Sequence, residues 1–215
     1  MPMARGLMAG VARLAKRRHR KLDALVAAGT GLLCCGPAAA HVGTGLPGGF
    51  VSGFLHPLSG FDHLLAMVCV GVWGAFLGRP LIYALPVVFP AMMVAGAILG
   101  MLGAPLPSVE LGIALSVLVL GSCIALSIRA PVWAASLIVA VFAVFHGYAH
   151  GKELPSAADP ISYSVGFVLV TGLLHVTGIC FGTLLSRPYG VVAIRGLGGF
   201  VAVLGAGYLV RAIQA

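Results

Sequence analysis

Three short stretches gather the side chains of this sequence that could do chemistry. HPLSGFDHLLAM, residues 56 to 67, places imidazoles at His56 and His63 and a carboxylate at Asp62. FHGYAHGKE, residues 145 to 153, places His146 and His150 four apart, with Glu153 close behind. On a helix, that spacing puts both rings on one face, where they can share a metal ion or a water. LLHVTG carries His175 in apolar sequence with no charge nearby. Neutral imidazoles joined by one or two carboxylates suit first-row divalent ions such as nickel, cobalt, zinc or copper. Magnesium would call for more oxygen ligands.

Each candidate also has a plainer structural reading. Asp62 can cap a helix that begins near Phe61, His146 and His150 can be structural, and His175 can be a hydrogen-bonded core residue. Met67 lies one turn beyond His63 and is read as packing rather than as a soft ligand. Glu110 follows Ser108 at the start of an apolar segment, where a carboxylate complements the helix dipole. His41 could chelate through its imidazole and a free amine if the chain is cut before it, or be only a flexible end. Cys69, Cys123 and Cys180 stand singly with no paired spacing, so they read as core residues.

The elements that must position these groups belong to a membrane protein. Of 215 residues, 60% are hydrophobic and only 8% charged, against about 25% charged in soluble domains. The mean hydropathy is +1.09. The net charge of +8 misleads, because Arg5, Arg13, Lys16, Arg17, Arg18, Arg20 and Lys21 all precede residue 22. Beyond residue 40 the balance is nearly neutral, which excludes a nucleic-acid partner. Residues 1–40 read as a cleavable signal peptide. KRRHRK is its basic region, an apolar run extends from Ala24 to Cys35, and Ala38 and Ala40 set cleavage after Ala40. An uncleaved anchor helix is the alternative.

Cutting residues 41–215 at Pro, Gly and charge leaves six apolar segments, each close to the ~20 residues that span a bilayer. They are 61–78, 81–103, 109–128, 131–150, 161–185 and 189–212. Short loops join them, so the expected fold is an all-α polytopic bundle of about six transmembrane helices. If the mature chain starts outside, Arg79, Arg129, Arg187 and Arg195 face the cytoplasm, while Lys152 and Arg211 stay outside. That agrees with the positive-inside rule and puts both mature termini in the periplasm. His56, Asp62, His63, His146 and His150 then share the outer leaflet, with His175 about 20 Å along its helix.

The first helix should be broken. Residues 49–78 would run about 45 Å as one helix, and Pro57, Ser59 and Gly60 interrupt it. A short segment 49–55, a break at HPLSG and a helix from Phe61 are expected, of the kind that lines cavities in transporters. Gly96 with Gly100 and Gly178 with Gly182 are small-residue pairs that let helices approach. The last segment adds Gly196, Gly198, Gly199, Gly205 and Gly207, and Pro86 and Pro90 should kink the second.

HPLSGFDHLLAMVCVG, FHGYAHGKELP and LLHVTG together resemble the HupE/UreJ family of bacterial membrane proteins, over residues 41 to 212. The His-x5-Asp-His spacing is also similar to the His-x4-Asp-His signature of other nickel/cobalt permeases, one residue longer. The family resemblance implies uptake of Ni2+ or Co2+ across the inner membrane for hydrogenase or urease maturation. The ion would be cargo, with no permanently bound cofactor. His56, Asp62 and His63 become ligands or gate residues partnered by His146 and His150. Capture near His41 and Glu153 and passage toward His175 complete the route. An outer-membrane metal receptor and nickel-enzyme maturation proteins are the implied partners. No nucleotide-binding motif is present, and the chain is read as a transporter rather than an enzyme. Two readings compete with it: an intramembrane zinc hydrolase using three histidines, Asp62 and Ser59, and a haem protein with histidines on facing helices.

Overall fold

A computed structural model describes residues 49–153 and 159–214. His41 and the expected cleavage after Ala40 lie outside them. Every regular element among the described residues is helical: α1 Phe50–Ser59, α2 Phe61–Leu77, α3 Leu81–Met101, α4 Val109–Ala125, α5 Val132–Glu153, α6 Pro160–Gly182 and α7 Gly190–Gln214. A 3-10 turn, Thr183–Ser186, extends α6. The helices α2 to α7 fall on the six expected segments. Four of them, α3, α5, α6 and α7, are long and apolar enough to cross a membrane unaided. The pair α1 and α2 passes the same test together, bent by 87° at Gly60. With 17 residues, α4 is an apolar helix of about 26 Å.

The break in the first helix is sharper and later than expected. Helix α1 continues through His56 and Pro57 to Ser59, and only Gly60, with φ −100° and ψ 108°, is extended. Pro57 removes one backbone donor but does not end the helix. The Ser59 hydroxyl donates to the His56 carbonyl at 2.6 Å, satisfying one of the acceptors that a helix end leaves open. His56 therefore sits on a helical turn, not in an irregular loop.

Helix α2 lies at the centre. From Ala66 to Gly74 all its residues but Val68 are buried, as expected of a helix that is apolar all round. Met67 is fully buried in this core. Around it, α1 and α2 pack on α6, α3 on α5, and α4 on α7. Glycines make each pairing close. A Cβ on Gly147 of α5 would land on the Met93 carbonyl, and one on Gly96 of α3 on the Val144 carbonyl. Gly71 and Gly178 meet the His175 and Val68 carbonyls between α2 and α6, and Gly53 and Gly166 do the same between α1 and α6. In α7, only Gly198 and Gly205 of the five expected glycines have such a contact. Large apolar residues such as Val87, Trp133, Leu137, Val165 and Val203 face outward, as a lipid-facing surface requires.

Cys69 and Cys123 are buried, but Cys180 is exposed, correcting its reading as core. It lies with Val176, Thr177 and Phe181 on the outward face of α6. At one end of the bundle Trp73 Nε1 donates to the Ile128 carbonyl at 3.1 Å, and Arg195 Nε to the Ala125 carbonyl at 2.8 Å. Arg129 lies over the Phe76 ring. The histidine-bearing ends of α1, α2 and α5 gather at the opposite end, where Tyr148 donates to the Ala104 carbonyl at 2.7 Å.

Candidate metal-ion site

At the rim, α1 and the end of α5 meet. His56 Nε2 lies 2.9 Å from Glu153 Oε2, and His150 Nδ1 lies 3.7 Å from the same oxygen. Ligand atoms of His56, His150 and Glu153 all fall within 4.8 Å of one another, close enough to converge on a single ion. The three come from two helices that are distant in sequence, and α6 backs them. Phe167 packs edge-on to His150 with ring centroids 4.5 Å apart, and Tyr163 lies 5.9 Å from His56.

Asp62 does not join this triad. Its Oδ1 accepts from the His63 backbone N–H and lies 2.8 Å from His63 Nδ1. It thus satisfies one of the open donors of the first turn of α2 and also orients the adjacent ring, while the N-cap position is Gly60. A carboxylate only accepts, so His63 Nδ1 carries a proton, and in the neutral ring Nε2 presents a lone pair. That Nε2 is buried with no hydrogen-bond partner among the described residues. Two imidazoles of α5 crowd against it. His146 is 4.7 Å and His150 4.6 Å away between ring centroids.

Side-chain exposure falls steadily inward. It is 36% at Glu153 and 33% at Asp62, then 20% at His56, 15% at His63 and 9% at His150. At His146 and His175 nothing is exposed. The two carboxylates are the most exposed members of the cluster and the imidazoles the more buried ones. Beyond His146 the run of imidazoles is interrupted. Phe89 of α3, fully buried, packs 5.6 Å from His146 and 5.3 Å from His175. Among the described residues neither ring nitrogen of His175 has a hydrogen-bond partner. Glu110 is exposed in the first turn of α4, and among the described residues no hydrogen bond or ion pair links it to the cluster.

Comparison with known proteins bears on most of the chain. The family model described as HupE / UreJ protein matches residues 25–208. The chain belongs to the HupE/UreJ family. It is similar to Protein HupE of Rhizobium leguminosarum bv. viciae, 42% identical over 175 residues that cover 81% of this chain and 92% of that protein. No solved structure matches. As a HupE/UreJ protein, the chain is a multi-pass membrane protein.

The helical bundle of this HupE/UreJ member also brings in groups that the sequence reading passed over. Ser116 of α4, fully buried, lies 2.9 Å from His146 Nε2. Phe89, Phe167 and Tyr163 wall the cluster, and the buried Thr171 hydroxyl has no hydrogen-bond partner among the described residues. A lone serine in LGIALSVLVLG was the one visible signal. The aromatics look the same in sequence as those that face lipid.

Proposed function

We propose that this protein is a permease that carries Ni2+ or Co2+ from the periplasm to the cytoplasm. The observation that carries the reading is the unbroken run of imidazoles from Glu153 inward. His56, His150, His63 and His146 stand ring against ring at 4.6 to 4.8 Å, inside a bundle of apolar helices. Unpartnered ring nitrogens on His63, His146 and His150 are costly to bury unless something fills them. A divalent ion with a preference for nitrogen does so, and its charge offsets the cost of Asp62 and Glu153 beside lipid.

In this reading Glu153 and Asp62 attract the hydrated cation. His56, His150 and Glu153 strip part of its water. His150 hands it to His63 and His146, and His175 receives it on the cytoplasmic side. His41, exposed by cleavage after Ala40, would add a ligand at the mouth. Several weak, adjacent positions serve transport better than one tight cage, because the ion must leave. Both mature termini lie in the periplasm, with Arg79, Arg129, Arg187 and Arg195 inside. The imported metal supplies nickel-enzyme maturation. The zinc-hydrolase alternative loses support, because the Ser59 hydroxyl is spent on the His56 carbonyl.

The test is radiolabelled nickel accumulation in cells lacking other nickel importers, for wild type, His63→Ala and His146→Ala at matched membrane expression. Wild-type accumulation that both variants lose is the expected result. If the wild type accumulates neither nickel nor cobalt, the permease reading fails.

A further inference from the structure

The hydrogen bonds around His146 determine which of its nitrogens can meet an ion. Ser116 Oγ lies 2.6 Å from the Ile113 carbonyl oxygen in its own helix and 2.9 Å from His146 Nε2. A serine has one hydroxyl proton. An oxygen–oxygen separation of 2.6 Å is in the range of a hydrogen bond and would be repulsive without a proton between the two atoms. The proton therefore goes to the Ile113 carbonyl. Ser116 Oγ is left with lone pairs toward His146, so Nε2 must be the protonated nitrogen and the donor. In the neutral ring Nδ1 is then bare, and it is buried without a hydrogen-bond partner among the described residues. The ring that carries it stands edge-on to His63, at 87° between planes.

His63 is set the opposite way. Asp62 holds its Nδ1 protonated, which leaves Nε2 bare. As neutral rings, the two imidazoles in contact across α2 and α5 therefore carry opposite tautomers, each fixed by a partner of its own. We propose that Ser116 is a positioning residue that locks His146 in the Nε2–H tautomer, so that His146 Nδ1 and His63 Nε2 form a second, inner ligand pair for the transported ion. This pair lies one step in from the His56, His150 and Glu153 triad. His150, in ring contact with both His56 and His63, is the shared member through which an ion would pass. The proposal deepens the permease reading and rests on it for the identity of the ion, but not for the proton's location.

The arrangement follows a general rule of metal sites. A ligating histidine gives its other N–H to an acceptor that fixes the tautomer and ring orientation, and loss of that acceptor typically costs about 10- to 100-fold in metal affinity. Here the acceptor is a hydroxyl on α4, a helix that contributes no ligand of its own.

The deciding experiment is 15N NMR of full-length, histidine-labelled protein in lipid nanodiscs without metal, with the His146 ring assigned by its loss in His146→Gln. The wild type should show a protonated Nε2 and a bare Nδ1 at His146. In Ser116→Ala the single tautomer should give way to a mixture, and the Kd for Ni2+ by calorimetry should rise about 10-fold. Ser116→Thr, which keeps the hydroxyl, should retain both wild-type properties. A protonated Nδ1 in the wild type overturns the proposal, and that reading needs no variant to fold. So does a Ser116→Ala protein with unchanged spectrum and affinity. A Ser116→Thr protein that keeps the tautomer yet binds as weakly as Ser116→Ala would assign the effect to packing instead. If the tautomers and affinities are as expected but cells accumulate no nickel, the permease reading fails while the ligand pair stands.

Discussion

His150 and His175 are both buried imidazoles in apolar helices, and they keep opposite company. His150 has His56 and His63 at 4.8 and 4.6 Å and Glu153 one turn away. His175 has Phe89 as its aromatic neighbour and no hydrogen bond to either ring nitrogen. The first can join a ligand set around an ion, and the second can offer an ion only one nitrogen at a time. In the proposed permease, a metal held by several nitrogens at one end of the run and by fewer further in would bind at the first and be released past the second. Burial alone does not make a histidine a binding residue. The number of other ligand atoms that converge on the same point does.

The comparison breaks most readily at His150. His150→Ala removes the ring shared by both ligand groups, so nickel accumulation should fall to background and Ni2+ binding by purified protein should weaken at least about 10-fold. His175→Ala should separate the two properties. Binding should stay within about twofold of wild type, while the uptake rate falls by about 10-fold, because capture is intact and passage is not. Equal loss of binding in both variants would show that His175 belongs to the capture site, and the distinction between the regions would be gone.

How much of this could be read from the sequence differs between the same two regions. The helices were legible, because Gly, Pro and charge punctuate apolar runs of nearly spanning length. The faces were legible too, since His146 and His150 recur at helical spacing. What the sequence did not carry was partnership across helices. The meeting of His63 with His146 depends on how closely α3 packs on α5 and α2 on α6. Gly147 against the Met93 carbonyl and Gly71 against the His175 carbonyl set those distances. Small-residue pairs announce that helices approach, but not which helices. Pro57 was misread as a helix end because Ser59 closes the turn after it. Ser116 stayed hidden because a serine in an apolar helix ordinarily bonds back to its own helix, as this one also does to Ile113.

Acidity sharpens the comparison with a smaller effect. A protonated imidazole has no lone pair for a metal, and the ordinary histidine pKa is about 6.5. Lowering the pH sets protons in competition with the ion for imidazole lone pairs, so uptake should fall from about pH 7.5 to about pH 5.5. His150→Ala should have no remaining pH dependence to lose. In His175→Ala the residual uptake should keep the wild-type profile, since its capture site is unchanged. A flat wild-type profile would count against imidazole ligation altogether.

The smallest effect is expected at a carboxylate that lies near the mouth but serves only the fold. Asp159 caps α6, accepting from the Ile161 and Ser162 backbone N–H groups at 3.2 and 3.1 Å and from the Ser162 hydroxyl at 2.6 Å. The Ser162 hydroxyl, and after it the backbone N–H groups, hold its carboxyl below the usual aspartate range. A group depressed in the folded state contributes stability above its unfolded pKa and loses it only as pH falls through the lower folded value. Asp159 therefore stays ionised from about pH 7.5 to about pH 5.5 and cannot account for an uptake change in that window. Asp159→Asn should keep nickel uptake within about twofold and keep the wild-type pH profile, because an asparagine still caps the helix. Glu153→Gln should cut uptake, since the oxygen it neutralises lies 2.9 Å from His56. If the two variants lost uptake equally, the mouth would be acting as a diffuse negative surface. A difference between them means that Glu153 acts through its contact with His56 and His150.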